Sequence, residues 1–239
     1  RRQRQMCIRD RLQGDQVASL AVPECGTKFV RGMLEDSRPQ TFSDLVRISG
    51  FSHGTNVWLD NAQDLIKNGT CKLNEAISTR DDVMNFLIHR GMDRKHSFFV
   101  MENVRKGKGI EKRNKQGQAT TEFEAEMREN NIPEWFIESC KKISYLFPRA
   151  HAVAYVMMAF RIAWFKVYHP LAFYAAYFSI RAKAFDLRIM TGDLKTQMTE
   201  FNRIKALDRG ASPKDKDLMS ALEVSMEMYQ RGYRFVNVD

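Results

Sequence analysis

The sequence predicts an all-α protein, a multi-helix assembly with one long central helix and a helical C-terminal extension. Three observations predict it. Apolar residues recur at helical spacing along most of the 239 residues. No run alternates with period two, and the Asn68-Gly69 pair follows a helical pattern instead of joining two β-branched runs. The segment ends carry helix caps: Ser78 or Thr79 before an apolar stripe, Ser212-Pro213 as N-cap plus first-turn proline, and glycine at 91 and 232 as stops.

Element by element, Gly26 to Asp36 reads as a helix with Phe29, Val30, Met33 and Leu34 on one side. Thr41 starts the next, with Phe42, Leu45, Val46 and Ile48 as its apolar set. Trp58 to Lys67 follows, closed by Asn68-Gly69 as a left-handed cap. Asp81 to Arg90 and Lys95 to Lys106 come next. Residues 106 to 121, KGKGIEKRNKQGQATT, are polar, rich in Gly and Lys and aperiodic, and are expected to form a mobile basic loop. Thr120 or Thr121 restarts helix through Glu129, and Pro133 sits in the first turn of a helix through Trp135, Phe136, Cys140 and Ile143. Pro148 opens the longest helix, ending near His169. Pro170 opens another through Phe173, Tyr177 and Ile180, and Asp193 to Leu207 and Ser212 to Arg231 are amphipathic and charged.

With 44% hydrophobic residues the chain holds enough apolar material for a globular core. The formal charge is +9, which points to a polyanionic partner and says nothing about fold. Residues 1 to 11, RRQRQMCIRDR, contribute +4 of it and leave +5 for the rest. They have no apolar core of a secretory signal and read as a non-native leader, such as a translated adapter or cloning remnant, or else as a native basic arm. Cys7, Cys25, Cys71 and Cys140 form no CxxC unit, which argues against a zinc knuckle or disulfide framework and fits a reducing cytoplasm. The run Ala150 to Tyr168 is interrupted by His151, Arg161 and Lys166, so no membrane partner is expected.

An autonomous active site is not expected. Two-metal phosphoryl chemistry needs clustered carboxylates, and the one Asp doublet, Asp81-Asp82, opens a helix, where it complements the dipole. The five histidines show no HExxH spacing, and no phosphate-loop or nucleophile-elbow motif occurs. No metal ligands and no catalytic residues are assigned.

Three segments carry functional signals. In Tyr145 to Tyr155, YLFPRAHAVAY, Arg149 and His151 fall in the first turn after Pro148, where free N–H groups suit a phosphate. His151 and Tyr155 share a face, Lys166 lies roughly on it three turns on, and Arg161 projects to one side. Ala150, Ala152 and Ala154 permit close approach. The face fits a nucleoside triphosphate, or a buried helix with snorkelling cations. In Ile48 to Trp58, ISGFSHGTNVW, two glycines bracket Phe51, Ser52 and His53, making either a base- or phosphate-touching turn or an ordinary capped connector. Basic residues gather at Lys28 and Arg31, around the loop at Arg105, Lys106, Lys108, Lys112, Arg113 and Lys115, and at Lys141-Lys142, as solvated faces or as a phosphate-backbone track.

The segments PECGTKFVRGMLED, TFSDLVRISGFSHGTNVWLDNAQDLI, VRKGKG, EFEAEMRENNIPEWFIESCKKISYLFPRAHAVAYVMMAFRIAWFKVYHPLAFYAAYFSIRA and ASPKDKDLMSALEVSMEMYQRGYRFVNVD resemble the PolC-type DNA polymerase III alpha subunit of Gram-positive bacteria, from about Leu20 to Asp239. Cys25 stands where the family has an aromatic, and Glu111 to Thr120 looks like an insertion. The resemblance implies the fingers domain of a C-family DNA polymerase over residues 12–185. Residues 186–239 would be its C-terminal helical part, leading to a duplex-binding region. It implies a DNA-directed DNA polymerase as the parent, whose Mg²⁺ is bound by aspartates of a palm domain upstream and not by this chain, which alone is expected to be inactive. Implied nucleotide contacts are Arg149, His151 and Lys142 on the triphosphate and Phe147, Tyr155, Ser52 and His53 on base and sugar. Arg161 and Lys166 either support the helix or reach the triphosphate. Lys28, Arg31 and Lys108 would meet template or duplex. Implied partners are template/primer DNA, dNTP, the palm domain, and the sliding clamp and other replisome proteins, in the cytoplasm. The alternative is a non-catalytic helical nucleic-acid-binding or protein-interaction module, which would bind DNA without competition by dNTPs.

Overall fold

The computed structural model describes residues 17–236. The expected non-native leader lies outside the described residues. Twelve α-helices and no strand occur among those described, with isolated bridges only at Thr55–Tyr145, Thr79–Phe147 and Arg113–Ala119. The helices are α1 Lys28–Ser37, α2 Phe42–His53, α3 Gln63–Lys67, α4 Arg80–His89, α5 Arg94–Arg105, α6 Phe123–Glu129, α7 Glu134–Lys142, α8 Arg149–Tyr168, α9 Pro170–Ala176, α10 Leu187–Met190, α11 Leu194–Ala206 and α12 Pro213–Gln230. The chain divides into two compact units: Gly32–Met157, and the residues through Arg31 together with those from Met158 onward. In the second of these units α9 and the residues Leu20 and Ala21 pack with α12 in one apolar cluster.

In the unit Gly32–Met157 three helix starts, those of α2, α4 and α5, have a concrete side-chain cap. Thr41 and Asp44 form a reciprocal capping box at α2, and Thr79 and Asp82 form one at α4. Both residues named as candidates for the second cap take part, since the Ser78 hydroxyl also donates to Asp82 at 2.7 Å. Asp93 caps α5 by accepting from the N–H groups of Lys95 and His96. Gly91 has φ +97°, the left-handed conformation that stops α4. The core is filled by Phe51, Ile77, Leu87, Val100, Met127, Phe136 and Leu146, all buried.

Three expectations are corrected here. The predicted helix Trp58 to Lys67 is broken. Leu59, Asp60 and Asn61 leave helical geometry, with Asp60 at φ +55°, and only a π-turn over Trp58–Ala62 precedes α3. Asn61 is buried at the break, and its Nδ2 donates to Asn56 O and Ser139 O. Pro133 is the N-cap of α7 and lies one residue before its first turn. The presumed mobile loop is folded as a hairpin. Thr120 N donates to Lys112 O at 2.8 Å, Asn114 N to Gln118 O at 3.0 Å, and Gly117 turns the chain at φ +81°.

In the other unit α9 begins at Pro170 as predicted and runs into a π-turn at Tyr177–Arg181. α10, which periodicity did not mark, is a single turn capped by Asp186. α11 and α12 pack through Met190, Ile204, Ala211, Ala221 and Leu222, joined by a 3₁₀ turn at Asp208–Gly210. Ser212 caps α12 with Pro213 behind it, and Asp215 closes the box.

Candidate functional site

The turn after α2 is shaped by glycines. A Cβ on Gly50 would lie 2.5 Å from Ser78 O, so α2 meets the backbone before α4 in direct contact. A Cβ on Gly54 would lie 2.4 Å from Val57 Cγ2 and 3.0 Å from Tyr145 O. That close approach lets Thr55 N donate to Tyr145 O and Ser144 N donate to Thr55 O, both at 3.0 Å. On the other side Arg80 N donates to Phe147 O at 3.2 Å. The segment 144–147 is thus clamped between two elements, and Phe147 is fixed before α8 begins.

Against that frame the structure brings five of the predicted residues together. The His53 ring stacks on Phe147 with centroids 4.9 Å apart and lies 6.3 Å from Tyr155. His151 meets the edge of Phe147 at 5.8 Å, and Phe147 and Tyr155 are 6.2 Å apart. His53 Nδ1 lies 2.8 Å from Ser49 O; a carbonyl only accepts, so Nδ1 carries the hydrogen. The Ser52 hydroxyl donates to the same carbonyl at 3.0 Å and lies 3.0 Å from Nδ1, which fixes the ring plane. His151 and Tyr155 are exposed, while Ser52, His53 and Phe147 are half-buried, so the cluster is an open aromatic face.

The start of α8 corrects one expectation. Its Arg149 N–H donates to Asp81 Oδ2 at 2.9 Å, so a carboxylate occupies the place a phosphate would take. The Arg149 guanidinium lies 3.6 Å from Asp82 and its side chain is 41% exposed. Asp82 also accepts from Ser78 N, Ser78 Oγ, Thr79 N and Thr79 Oγ1. The doublet Asp81-Asp82 therefore caps two helices. Its tie to the long helix spans 68 residues of chain, and no local sequence signal marks it.

The remaining candidates scatter. Lys142 is exposed and donates to Asp60 O at 2.8 Å. Arg161 is exposed and Lys166 is buried, both in the unit that starts at Met158. The Lys166 ammonium donates to Ala18 O, Leu20 O and Glu227, and with 1% of its side chain exposed it supports the helix and has no route to a triphosphate. Arg31 is likewise 5% exposed, bonded to Gly26 O and near Glu223, so it is withdrawn as a DNA contact; its neighbour Lys28 and the loop residue Lys108 are exposed. Burial pushes the thiols of Cys25 and Cys71 up to about 11 and that of the fully buried Cys140 further, so none serves as a nucleophile near neutrality. Among the described residues no group of three or more His, Cys, Asp or Glu side chains is placed to hold a metal ion.

Residues 11–131, just over half of the chain, match the family described as the bacterial DNA polymerase III alpha subunit finger domain. The chain is 55% identical over 226 residues to a DNA polymerase III PolC-type of Caldanaerobacter subterraneus, covering 95% of this chain and 16% of that protein. It is 52% identical over 226 residues to the Bacillus subtilis protein of the same name, covering 95% and 15%. To that of Thermotoga maritima it is 54% identical over 223 residues, covering 93% and 16%. The chain spans about a sixth of the length of these curated relatives.

Proposed function

Because the chain belongs to the finger-domain family of bacterial DNA polymerase III alpha subunits, we propose that it is the part of a longer DNA-directed DNA polymerase that grips the incoming nucleotide and the DNA. The observation that carries this reading is the open aromatic face of His53, Phe147, His151 and Tyr155, held on a backbone clamped at 55–145 and 80–147. A nucleobase is a flat apolar surface with polar edges. Stacking on such a ring is worth about 1–3 kcal/mol and tolerates every base. Arg149 and His151, on the same helix turn, supply a guanidinium and an imidazole N–H donor for the phosphates. Both can donate to non-bridging oxygens and stabilise the charge that builds as pyrophosphate departs. The Mg²⁺ ions that such chemistry uses are assigned to carboxylates elsewhere in the longer protein.

A second feature supports the chain's being one part of a larger body. From Met158 to Leu171 the side chains of Met158, Phe160, Trp164, Phe165, Tyr168 and Leu171 are all exposed. α8 is also the one described helix long and apolar enough to cross a membrane, but its Lys166 is ion-paired within its own unit, as in a protein interior. An apolar surface of this extent is covered in a working protein, and the rest of the polymerase is the cover the family offers.

The test is kinetic. Tyr155→Ala in a full-length polymerase carrying this segment should raise KM for dNTP roughly 10-fold or more, and Tyr155→Phe should not. The ring is 47% exposed, so its removal leaves the core intact. An unchanged KM in the alanine variant removes the base-stacking role. The isolated chain, supplied with primed template, Mg²⁺ and dNTPs, is expected to extend no primer, and robust extension would overturn the division of labour between this chain and a palm.

A further inference from the structure

The hairpin at 111–121 is better built than a solvated loop needs to be. Asn114 organises its tip: Oδ1 accepts from Gln116 N at 3.0 Å and from Gln118 N at 2.9 Å, and Nδ2 donates to the Gln118 side chain at 3.0 Å. Arg113 Nη1 donates to Gly117 O across the turn at 2.7 Å. At the base, Thr121 Oγ1 accepts from Lys112 N at 3.0 Å.

The charges in this hairpin are sorted. Its one carboxylate, Glu111, is turned away from the tip and accepts from Thr121 Oγ1, Phe123 N and Glu124 N, which caps α6. Lys112 lies over the Phe99 ring, 3.3 Å from the centroid. Arg113 and Lys115 are exposed, and among the described residues no carboxylate lies within ion-pair distance of either. Four other cations in this unit are neutralised by carboxylates: Arg105 and Lys106 share Glu102, and Arg128 and Lys141 share Glu124. The tip therefore carries cationic charge on a frame already ordered by hydrogen bonds, and a ligand has little left to organise.

We propose that this hairpin is a contact for the phosphodiester backbone of duplex DNA, made by Arg113 and Lys115. The proposal rests on the reading of the chain as a DNA-gripping part of a polymerase and adds a surface to it. The tip residues Gln116, Gly117, Gln118 and Ala119 include no large apolar side chain to insert into a lipid surface. The guanidinium fork and the ammonium match the repeating singly charged oxygens of a phosphate backbone, which needs no base-specific partner.

The experiment measures binding of a short labelled DNA duplex to the 239-residue chain across a salt series. Neutralising both cations, R113Q with K115Q, should weaken binding. It should also flatten the slope of log K against log[salt] by about 0.9 for each lost phosphate contact, roughly 2 for the pair. K115Q alone, which keeps the Arg113–Gly117 bond, should give about half that change, and R113K should restore most of the Arg113 share. A double variant with wild-type affinity and slope overturns the proposal while leaving the broader reading in place. A wild-type chain with no salt-dependent duplex binding sinks the DNA-gripping reading and the hairpin contact together.

Discussion

Arg149→Ala and His151→Ala, each introduced into a full-length polymerase of this family, are expected to lower kcat about 10²-fold or more while barely moving the melting temperature. The structure explains why the two effects separate. The α8 cap is made by the Arg149 backbone N–H to Asp81, and alanine keeps that bond. Asp82 would lose a guanidinium at 3.6 Å but keeps four hydrogen bonds from Ser78 and Thr79 and a second guanidinium, Arg47, also at 3.6 Å. His151 is exposed and touches Phe147 only by its edge. Groups that meet developing charge act on kcat, whereas a ring that stacks on the base in ground and transition state alike acts on KM. Arg149 and His151 on one side and Tyr155 on the other should thus divide between the two constants. Wild-type kcat in both alanine variants would return the tip to a structural role, in keeping with the carboxylate already at its end.

What the sequence could and could not say about this tip follows from the range of the interactions. Caps act within four residues, so Thr41, Thr79 and Ser212 could be read as helix starts, and proline at 148, 170 and 213 marked the boundaries of α8, α9 and α12 within a residue. The aromatic face joins His53 to Phe147 and Tyr155 across some hundred residues of chain, and only the family resemblance put Ser52 and His53 in one set with Phe147 and Tyr155. Asp81 is the opposite case. Its local role as a first-turn acid was legible, but its bond to Arg149 was not, because nothing near either residue encodes the other. The break at Leu59 to Asn61 was missed for the same reason: Asn61 at the break is bonded to Ser139, far along the chain. The hairpin escaped because its order comes from Asn114 and Glu111 side chains bonding backbone, a pattern that apolar periodicity does not register.

Lys166 and Arg31 show where charge counting misleads. Spacing left both open as ligand-facing or structural cations and the family resemblance offered them as contacts, yet both are buried with acceptors of their own. The Lys166 ammonium donates to Leu20 O at 2.6 Å, to Glu227 at 2.8 Å and to Ala18 O at 3.1 Å, which fills its three N–H positions. The other Glu227 oxygen accepts from Tyr174 at 2.5 Å and lies 2.8 Å from Arg231. One carboxylate thereby ties α8, α9, the end of α12 and the segment at 18–20 into a single buried junction.

Glu227→Gln places a neutral amide between two buried cations and should destabilise the unit by about 3–5 kcal/mol, the range for breaking a buried pair from one side. Lys166→Met should be milder, since Glu227 keeps Tyr174 and Arg231 and the thioether chain fills the apolar path of the lysine stem. The double variant should be more stable than the sum of the two losses implies, because each charge strands the other when it is removed alone. Urea unfolding of the four chains, followed by circular dichroism, measures all three terms. A Glu227→Gln midpoint equal to wild type would mean the junction contributes little. A Lys166→Met polymerase with normal stability and a kcat lowered as far as Arg149→Ala would mean the ammonium reaches the nucleotide after all. A cation enclosed by two carbonyls and a carboxylate has no such freedom, so the kinetic loss should track the stability loss.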